Sequence, residues 1–237
     1  MEIERVGKVK VLGLIPARGG SQTVKRKNMV DLGGIPLIEW TIRTALSSSV
    51  SRVIVSTDDF EIAEFSKSKG CEVPFIRPSE LATNSALAID VVNHALDVIK
   101  EDFDAVMVLQ PTTPFRIPED IEESLRIIGD ASSVISVSAV EGPHPARMKY
   151  IENGFLIDPL FAEAIENMPR QQLRKVFVRN GAIYLTKVPY LRQKSFKGPK
   201  SRALVMPEER SVNIDSQFDL RIARAIYAIG LSPNENA

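Results

Sequence analysis

Cations clustered around glycines are the first sign of chemistry in this sequence. Residues 12–28 read LGLIPARGGSQTVKRKN: an apolar run stops at Pro16, and Gly19, Gly20 and Ser21 follow among Arg18, Lys25, Arg26 and Lys27. Glycine lets backbone N–H groups approach phosphate oxygens and the cations neutralise the charge, which is what a nucleoside triphosphate requires. The same string also suits a solvated basic loop between two core elements. Near the other end, SVNIDSQFDL sets Asn213 and Asp215 two apart, on one face if the segment is extended. A carboxylate and an amide oxygen can join substrate phosphates around Mg²⁺, an ion that rarely needs a full protein cage. Asp215 or Ser216 equally suits the cap of the helix that follows.

Other chemistries find little support. Two histidines and one cysteine leave no Cys/His metal cluster; His94 sits in a helical pattern as a packing or surface residue, and His144 lies between two prolines. The glycine loop lacks the Gly-Lys-Ser/Thr ending of a P-loop and the spaced glycines of a dinucleotide fingerprint, and there is no nucleophile elbow. Lys+Arg and Asp+Glu both number 30, so no global field draws the chain to nucleic acid or an anionic membrane and any anion site is local. The single Cys71 precludes an internal disulfide and suits a reducing compartment. The first ten residues lack the apolar core of a signal peptide, and no apolar run approaches the roughly 20 residues that span a bilayer. The expectation is a soluble cytoplasmic protein without nucleic-acid or membrane partners.

The elements that must hold these residues alternate. Strand patterns fall at residues 9–15, 53–55, 73–76, 105–109 and 134–140, and helical patterns at 37–46, 61–69, 86–100 and 118–128. Strands separated by helices predict an α/β fold: a mostly parallel central sheet with helices on both faces, in one domain spanning 1–237. Ligands in such sheets sit beyond the carboxyl ends of the strands, where Arg18, Asp58, Arg77 and Gln110 each follow a predicted strand. Asp58 or Asp59 suits the cap of the 61–69 helix, and for Asp58 capping is the favoured reading. Prolines break the rhythm from 141 to 180, which reads as an inserted lid or dimerisation arm, with a strand pair and a short helix at 160–165. Strand character returns at 182–185 and 203–206, Ser216 caps a helix over 218–229, and residues 231–237 read as a frayed end.

A family resemblance rests on LIPARGGS with Lys27-Asn28, VSTDD at 55–59, RPSELA at 77–82 and LQPTTPFR at 109–116. It continues through PRQQL at 169–173, NGAIYL at 180–185 and SVNID at 211–215. In this order the strings are similar to the acylneuraminate cytidylyltransferases, or CMP-sialic acid synthetases, including those that make CMP-legionaminic acid. The resemblance implies a nucleotide-diphospho-sugar transferase-like fold and a Mg²⁺-dependent reaction of CTP with a nine-carbon 2-keto sugar acid. The anomeric hydroxyl attacks the α-phosphorus, giving the CMP-sugar and pyrophosphate. Carried over by position, Arg18, Gly20, Ser21 and Lys27 hold the triphosphate, and Asn28, Arg77 and the backbone near Ala86 recognise ribose and cytosine. Gln110, Asn180, Tyr184 and Phe196 face the acceptor. Arg147 and Arg170 reach its carboxylate from the other subunit of a homodimer, with the 141–180 insertion as the dimerisation arm. Asp215, with Asn213, binds the metal, and Arg18, Lys27 and Asp215 form the catalytic set.

Four positions depart from the family pattern: Gln22 replaces a lysine, Asn213 an aspartate and Arg174 a proline, and Val178 stands where an arginine is common, with Arg179 displaced by one. Lys25 or Arg26 is the expected compensation for Gln22. NGAIY and the arginine of PRQQL argue, by resemblance, against pseudaminic acid as acceptor. The rival readings are a synthetase for the eight-carbon acid KDO and a catalytically weakened nucleotide-binding protein.

Overall fold

In the computed structural model, residues 9–21, 23–140 and 142–230 are described. Gln22 and the stretch 231–237 lie outside the described residues. The first strand, β1 (Val11–Pro16), shows why its sequence is apolar throughout: Leu12 and Leu14 enter one core and Val11 and Ile15 the opposite one. A strand buried on both faces has no solvent side on which to place polar residues.

A two-stranded ribbon, β2 (Asp31–Leu32) and β3 (Ile35–Pro36), leads to helix α1 (Leu37–Leu46). Next come β4 (Arg52–Ser56), α2 (Phe60–Ser68), α3 (Ala88–Ile99), β5 (Ala105–Val108), α4 (Pro118–Ile127) and β6 (Ser133–Ala139). A hairpin of β7 (Tyr150–Glu152) and β8 (Phe155–Ile157) precedes β9 (Phe177–Lys187), α5 (Val188–Arg192), β10 (Ser201–Val205) and α6 (Gln217–Ala228). The central sheet runs β10-β6-β9-β5-β1-β4, and every adjacent pair is parallel except those made by β9, which is antiparallel to both β5 and β6.

One core packs Ile38, Ile42 and Ile62 of α1 and α2 and Ile121 of α4 on the first face; Ile89, Val92 and Leu96 of α3 cover the second. A third cluster, with Trp40, Phe115, Ile214 and Leu220, seats α6 against α1. Gly33, at φ 69°, lies against the Tyr227 ring where any Cβ would overlap it.

Three expectations are corrected. Residues 73–76 form no strand; Glu72 and Ile76 make single bridges to Ile54 and Thr57, because Pro74 removes a ladder donor within the segment. No helix forms over 160–165, where the chain turns instead; the expected strand pair is the β7–β8 hairpin. Strand character resumes at Phe177, inside the region read as an excursion.

Cys71 is 3 % exposed against Val53, and burial, aided by Glu72, pushes its thiol up to about 12. Because the thiolate is the nucleophile, iodoacetamide at pH 8 is expected to leave native protein unlabelled and to label it fully in denaturant. Rapid labelling of the native chain would contradict this placement.

Candidate functional site

The glycine loop is tied at both ends. After β1, the buried Ala17 donates its N–H to Ser56 O at 2.9 Å, and Gly19 donates to Asp58 Oδ1 at 3.1 Å. The buried Asn28 closes the loop by donating its side-chain amide to Arg18 O at 2.9 Å, and Val24 pins the basic stretch into the third core cluster. Arg18 crosses to the segment before α3, donating to Thr83 O at 2.8 Å. Asp59, not Asp58, caps α2, accepting from Glu61 and Ile62. Asp58 is thereby free to serve the loop, which reverses the capping reading.

Arg77 arrives beside it because its N–H donates to Thr57 O at 2.7 Å. Its side chain is 3 % exposed, with Nη2 3.5 Å from Asp58 Oδ1 and Nε without a partner. Burial lowers the Arg77 pKa, the Asp58 charge opposes that shift and Arg18 adds to it.

The opposite wall comes from the strap before α6. Ile214 is wholly buried and donates its N–H to Thr112 O at 2.8 Å. Asn213 and Asp215 therefore share the other side, as extended spacing predicts. Asp215 Oδ1 meets Lys27 Nζ at 3.0 Å, and Oδ2 accepts from Asn213 Nδ2 at 2.5 Å. Ser216 forms the capping box with Asp219, so capping does not occupy Asp215. The Asn213 carbonyl oxygen is buried without a partner.

The third wall depends on an irregularity in β9. While β6 advances from Ile135 to Val137, β9 advances from Tyr184 to Arg179, so Asn180 and Gly181 bulge beyond the end of β5. Ser136 fills the gap: its hydroxyl donates to Asn180 Oδ1 at 2.6 Å and accepts from Ile183 N at 2.7 Å. Asn180 Nδ2 donates to Ser211 Oγ at 2.9 Å. Gly181 has φ 80°, and a Cβ there would lie 2.7 Å from Gln110 Oε1, so only glycine allows Gln110 its position. Arg116, fully buried, links these parts. It donates to Ala182 O at 3.0 Å, to Thr41 Oγ1 at 2.7 Å and to Gln110 O. Burial pushes its pKa down to about 9, against the pull of Asp120.

Together the walls enclose a cavity of about 530 Å³ at the carboxyl ends of β1, β4 and β5. Arg18, Ser21, Lys27, Asn28, Arg77, Ala86, Gln110 and Asp215 line it. Gly20 and Asn213 stand just outside its lining, and Asn180 braces the bulge behind Gln110. Tyr184 lies on the α3 side of the sheet with its ring 5.7 Å from that of Phe196. Arg147 donates to Met168 O, and Arg170 lines a separate hollow of about 460 Å³ with His144 and Phe177, so within one chain neither meets the main cavity. Arg26 pairs with Glu61, and neither it nor the exposed Lys25 lines the cavity, so the expected compensation for Gln22 is absent from its wall. His144 is a turn residue, bonded through Nδ1 to Ala146 N. Sequence reasoning assigned no role to Thr83, Arg116 or Gly181; an arginine closing the otherwise apolar and small-residue string QPTTPFR was the one available signal.

A family model described as "Cytidylyltransferase" matches residues 12–154. The chain is 33 % identical over 232 residues to the CMP-N,N'-diacetyllegionaminic acid synthase of Legionella pneumophila subsp. pneumophila, covering 93 % of this chain and 97 % of that one. To a pseudaminic acid cytidylyltransferase of Campylobacter jejuni it is 30 % identical over 226 residues, covering 93 % and 97 %. An N-acylneuraminate cytidylyltransferase of Streptococcus agalactiae is 34 % identical over 229 residues; these cover 94 % of this chain but 53 % of that longer protein. Among solved structures, a CMP:2-keto-3-deoxy-manno-octonic acid synthetase complexed with CTP has a TM-score of 0.70 at 18 % identity, covering 93 % and 99 %. A 4-diphosphocytidyl-2C-methyl-D-erythritol synthase from Anaerococcus prevotii has a TM-score of 0.64 at 14 % identity, covering 93 % and 99 %. These two likenesses concern the fold, a mostly parallel sheet between helices.

Replacing Arg116 by Met would remove a costly buried charge but strand the acceptors Gln110 O, Ala182 O and Thr41 Oγ1. At about 1 kcal/mol or more for each unsatisfied acceptor the gross cost is about 3 kcal/mol, and a net loss is expected to remain after the relief of the buried charge. Denaturant unfolding measures it, and wild-type stability would show that the fork carries nothing.

Proposed function

The chain belongs to the cytidylyltransferase family, and we propose that it transfers CMP from CTP to a nonulosonic acid, releasing pyrophosphate. The observation that carries this reading is the meeting of the loop cations Arg18 and Lys27 with Asp215, 188 residues beyond Lys27, on one cavity at a strand-end position suited to a triphosphate. Arg18, Ser21, Lys27 and the Gly20 backbone hold the phosphates; Asn28, Arg77 and the backbone at Ala86 hold the nucleoside. Gln110, on a bulge steadied by Asn180, faces the acceptor, with Tyr184 and Phe196 behind it. Transfer of this type draws its rate from positioning and charge stabilisation. The acceptor's anomeric hydroxyl attacks the α-phosphorus in line, its O–P bond forming as the bond to pyrophosphate breaks.

The residues at the strap fit one Mg²⁺. Asp215 offers a carboxylate, held as it stands by Lys27 and the Asn213 Nδ2, and a half-turn of the Asn213 amide would bring its buried, unpartnered oxygen to the same place; no group of three or more His, Cys, Asp or Glu stands ready among the described residues. Phosphates and water would complete such a shell. When bound, the ion would offset the charge that grows on the leaving pyrophosphate. Lys27, already paired with Asp215, keeps loop and strap together.

The 141–180 segment supplies the contact with a second copy. Ile151, Phe155 and Leu156 of its hairpin are 76 %, 72 % and 71 % exposed, far more apolar surface than a two-stranded hairpin supports alone. In that homodimer Arg147 and Arg170 serve the partner's acceptor site. The acceptor is a legionaminic or sialic acid. The chain is also 30 % identical to a pseudaminic acid enzyme, against 33 % for the legionaminic acid one, so that sugar belongs in the assay. The likeness to the octonic acid synthetase is one of fold, so KDO serves as the outlying substrate.

Pyrophosphate release with CTP, Mg²⁺ and a panel of these acids is the direct assay, with release expected for a nonulosonic acid. Release with KDO alone, or with none while CTP binds tightly, would refute the assignment. Arg18→Ala and Lys27→Ala are each expected to lower kcat/KM for CTP by about 100-fold; wild-type turnover in both would remove the phosphate loop from the mechanism. Sedimentation should find a dimer that Ile151→Glu with Phe155→Glu dissociates, and a monomeric wild type would overturn the shared site.

A further inference from the structure

Asp58 is an anion set behind the cationic wall of the cavity. Its Oδ1 accepts the Gly19 N–H at 3.1 Å and lies 3.5 Å from Arg77 Nη2. The phosphate loop and the deepest cation of the cavity thus meet on one carboxylate oxygen. Arg77 is 4 % exposed, lines the cavity, keeps an unpartnered Nε and feels the repulsion of Arg18. A buried guanidinium beside a second cation takes its orientation from the anion that touches it, and among the described residues the acidic partner of Arg77 is Asp58. The neighbouring Asp59 cannot substitute, since its carboxylate caps α2 and packs against Gly19.

We propose that Asp58 is a positioning residue for the nucleotide, fixing the Gly19 N–H and the Arg77 guanidinium in the arrangement that receives CTP. The proposal rests on the cytidylyltransferase reading above. Two effects of opposite sign meet at this carboxylate. Removing a negative charge near a triphosphate would by itself tighten binding. Losing the arrangement of loop and arginine weakens it, and the geometry makes this second effect the larger.

Asp58→Asn separates them, because it keeps the shape and an acceptor oxygen for Gly19 while deleting the charge. Calorimetric CTP binding and steady-state kinetics are expected to show Kd and KM for CTP raised about tenfold or more, with KM for the acceptor within about twofold of wild type. A purely structural defect would not produce that split. In a cycle with Arg77→Lys, the double variant is expected to be no worse than Arg77→Lys alone within about twofold, because the two residues act as one unit. Asp58→Glu, measured in parallel, keeps the charge but displaces it, and is also expected to weaken CTP. Binding by Asp58→Asn that equals or exceeds wild type, losses that multiply in the cycle, or wild-type affinity in Asp58→Glu would each overturn the proposal. Failure of the wild-type protein itself to bind CTP would instead refute the function on which it rests.

Discussion

A guanidinium without solvent is the constraint on which the Gln110 wall of the cavity depends. Arg116 cannot shed its charge by rotating outward, so it must find acceptors, and the chain brings three to it from α1, the end of β5 and the β9 bulge. The cost of burying the charge is offset only when all three are in place. That requirement fixes the backbone at Gln110 relative to Ala182. Gly181, lying between them with no Cβ, lets the Gln110 side chain take the remaining space. Position at the site is thus set by interior polar bonds more than by the loops themselves.

The same logic appears at the glycine loop, at smaller scale. Asp58, Gly19 and Arg77 form a closed set in which each polar group limits the others. Opposite them, Lys27 and Asp215 join the loop to the strap, and the burial of Ile214 in the third core cluster keeps that strap from drifting. Three walls from distant parts of the chain are therefore held by different means: a buried arginine, a bridging carboxylate and an apolar anchor. Triphosphate chemistry needs such rigidity, because it gains its rate from where the groups stand.

The antiparallel β9 explains how the sheet adds a wall to the cavity at its carboxyl edge. A parallel strand in its position would deliver its carboxyl end to the site; β9 instead delivers its first half, and the bulge there projects Asn180 and Gly181 past the end of β5. The β7–β8 hairpin lies upstream of that half, with residues 158–176 between them, so the exposed apolar hairpin and the bulge at Asn180 and Gly181 fall in one stretch of chain.

Much of this was legible in the residues. Continuous apolar runs marked β1 and β5 because strands buried on both faces carry no alternation, and helical spacing marked α1, α3 and α6. Charge beside glycine marked a loop that lines the cavity, and the two-residue spacing of Asn213 and Asp215 marked the strap. The roles of Asp58 and Arg116 were not legible. Either aspartate of VSTDD could cap α2, and only the fold shows that Asp59 does so while Asp58 turns to Gly19 and Arg77. Nothing in QPTTPFR reveals that its arginine is sealed in the core, since its acceptors lie up to 75 residues away in sequence. Residue type and local spacing determined which chemistry the chain could perform and which elements would carry it. Tertiary packing decided which polar groups face one another, because burial, not sequence distance, determines which hydrogen bonds must be made.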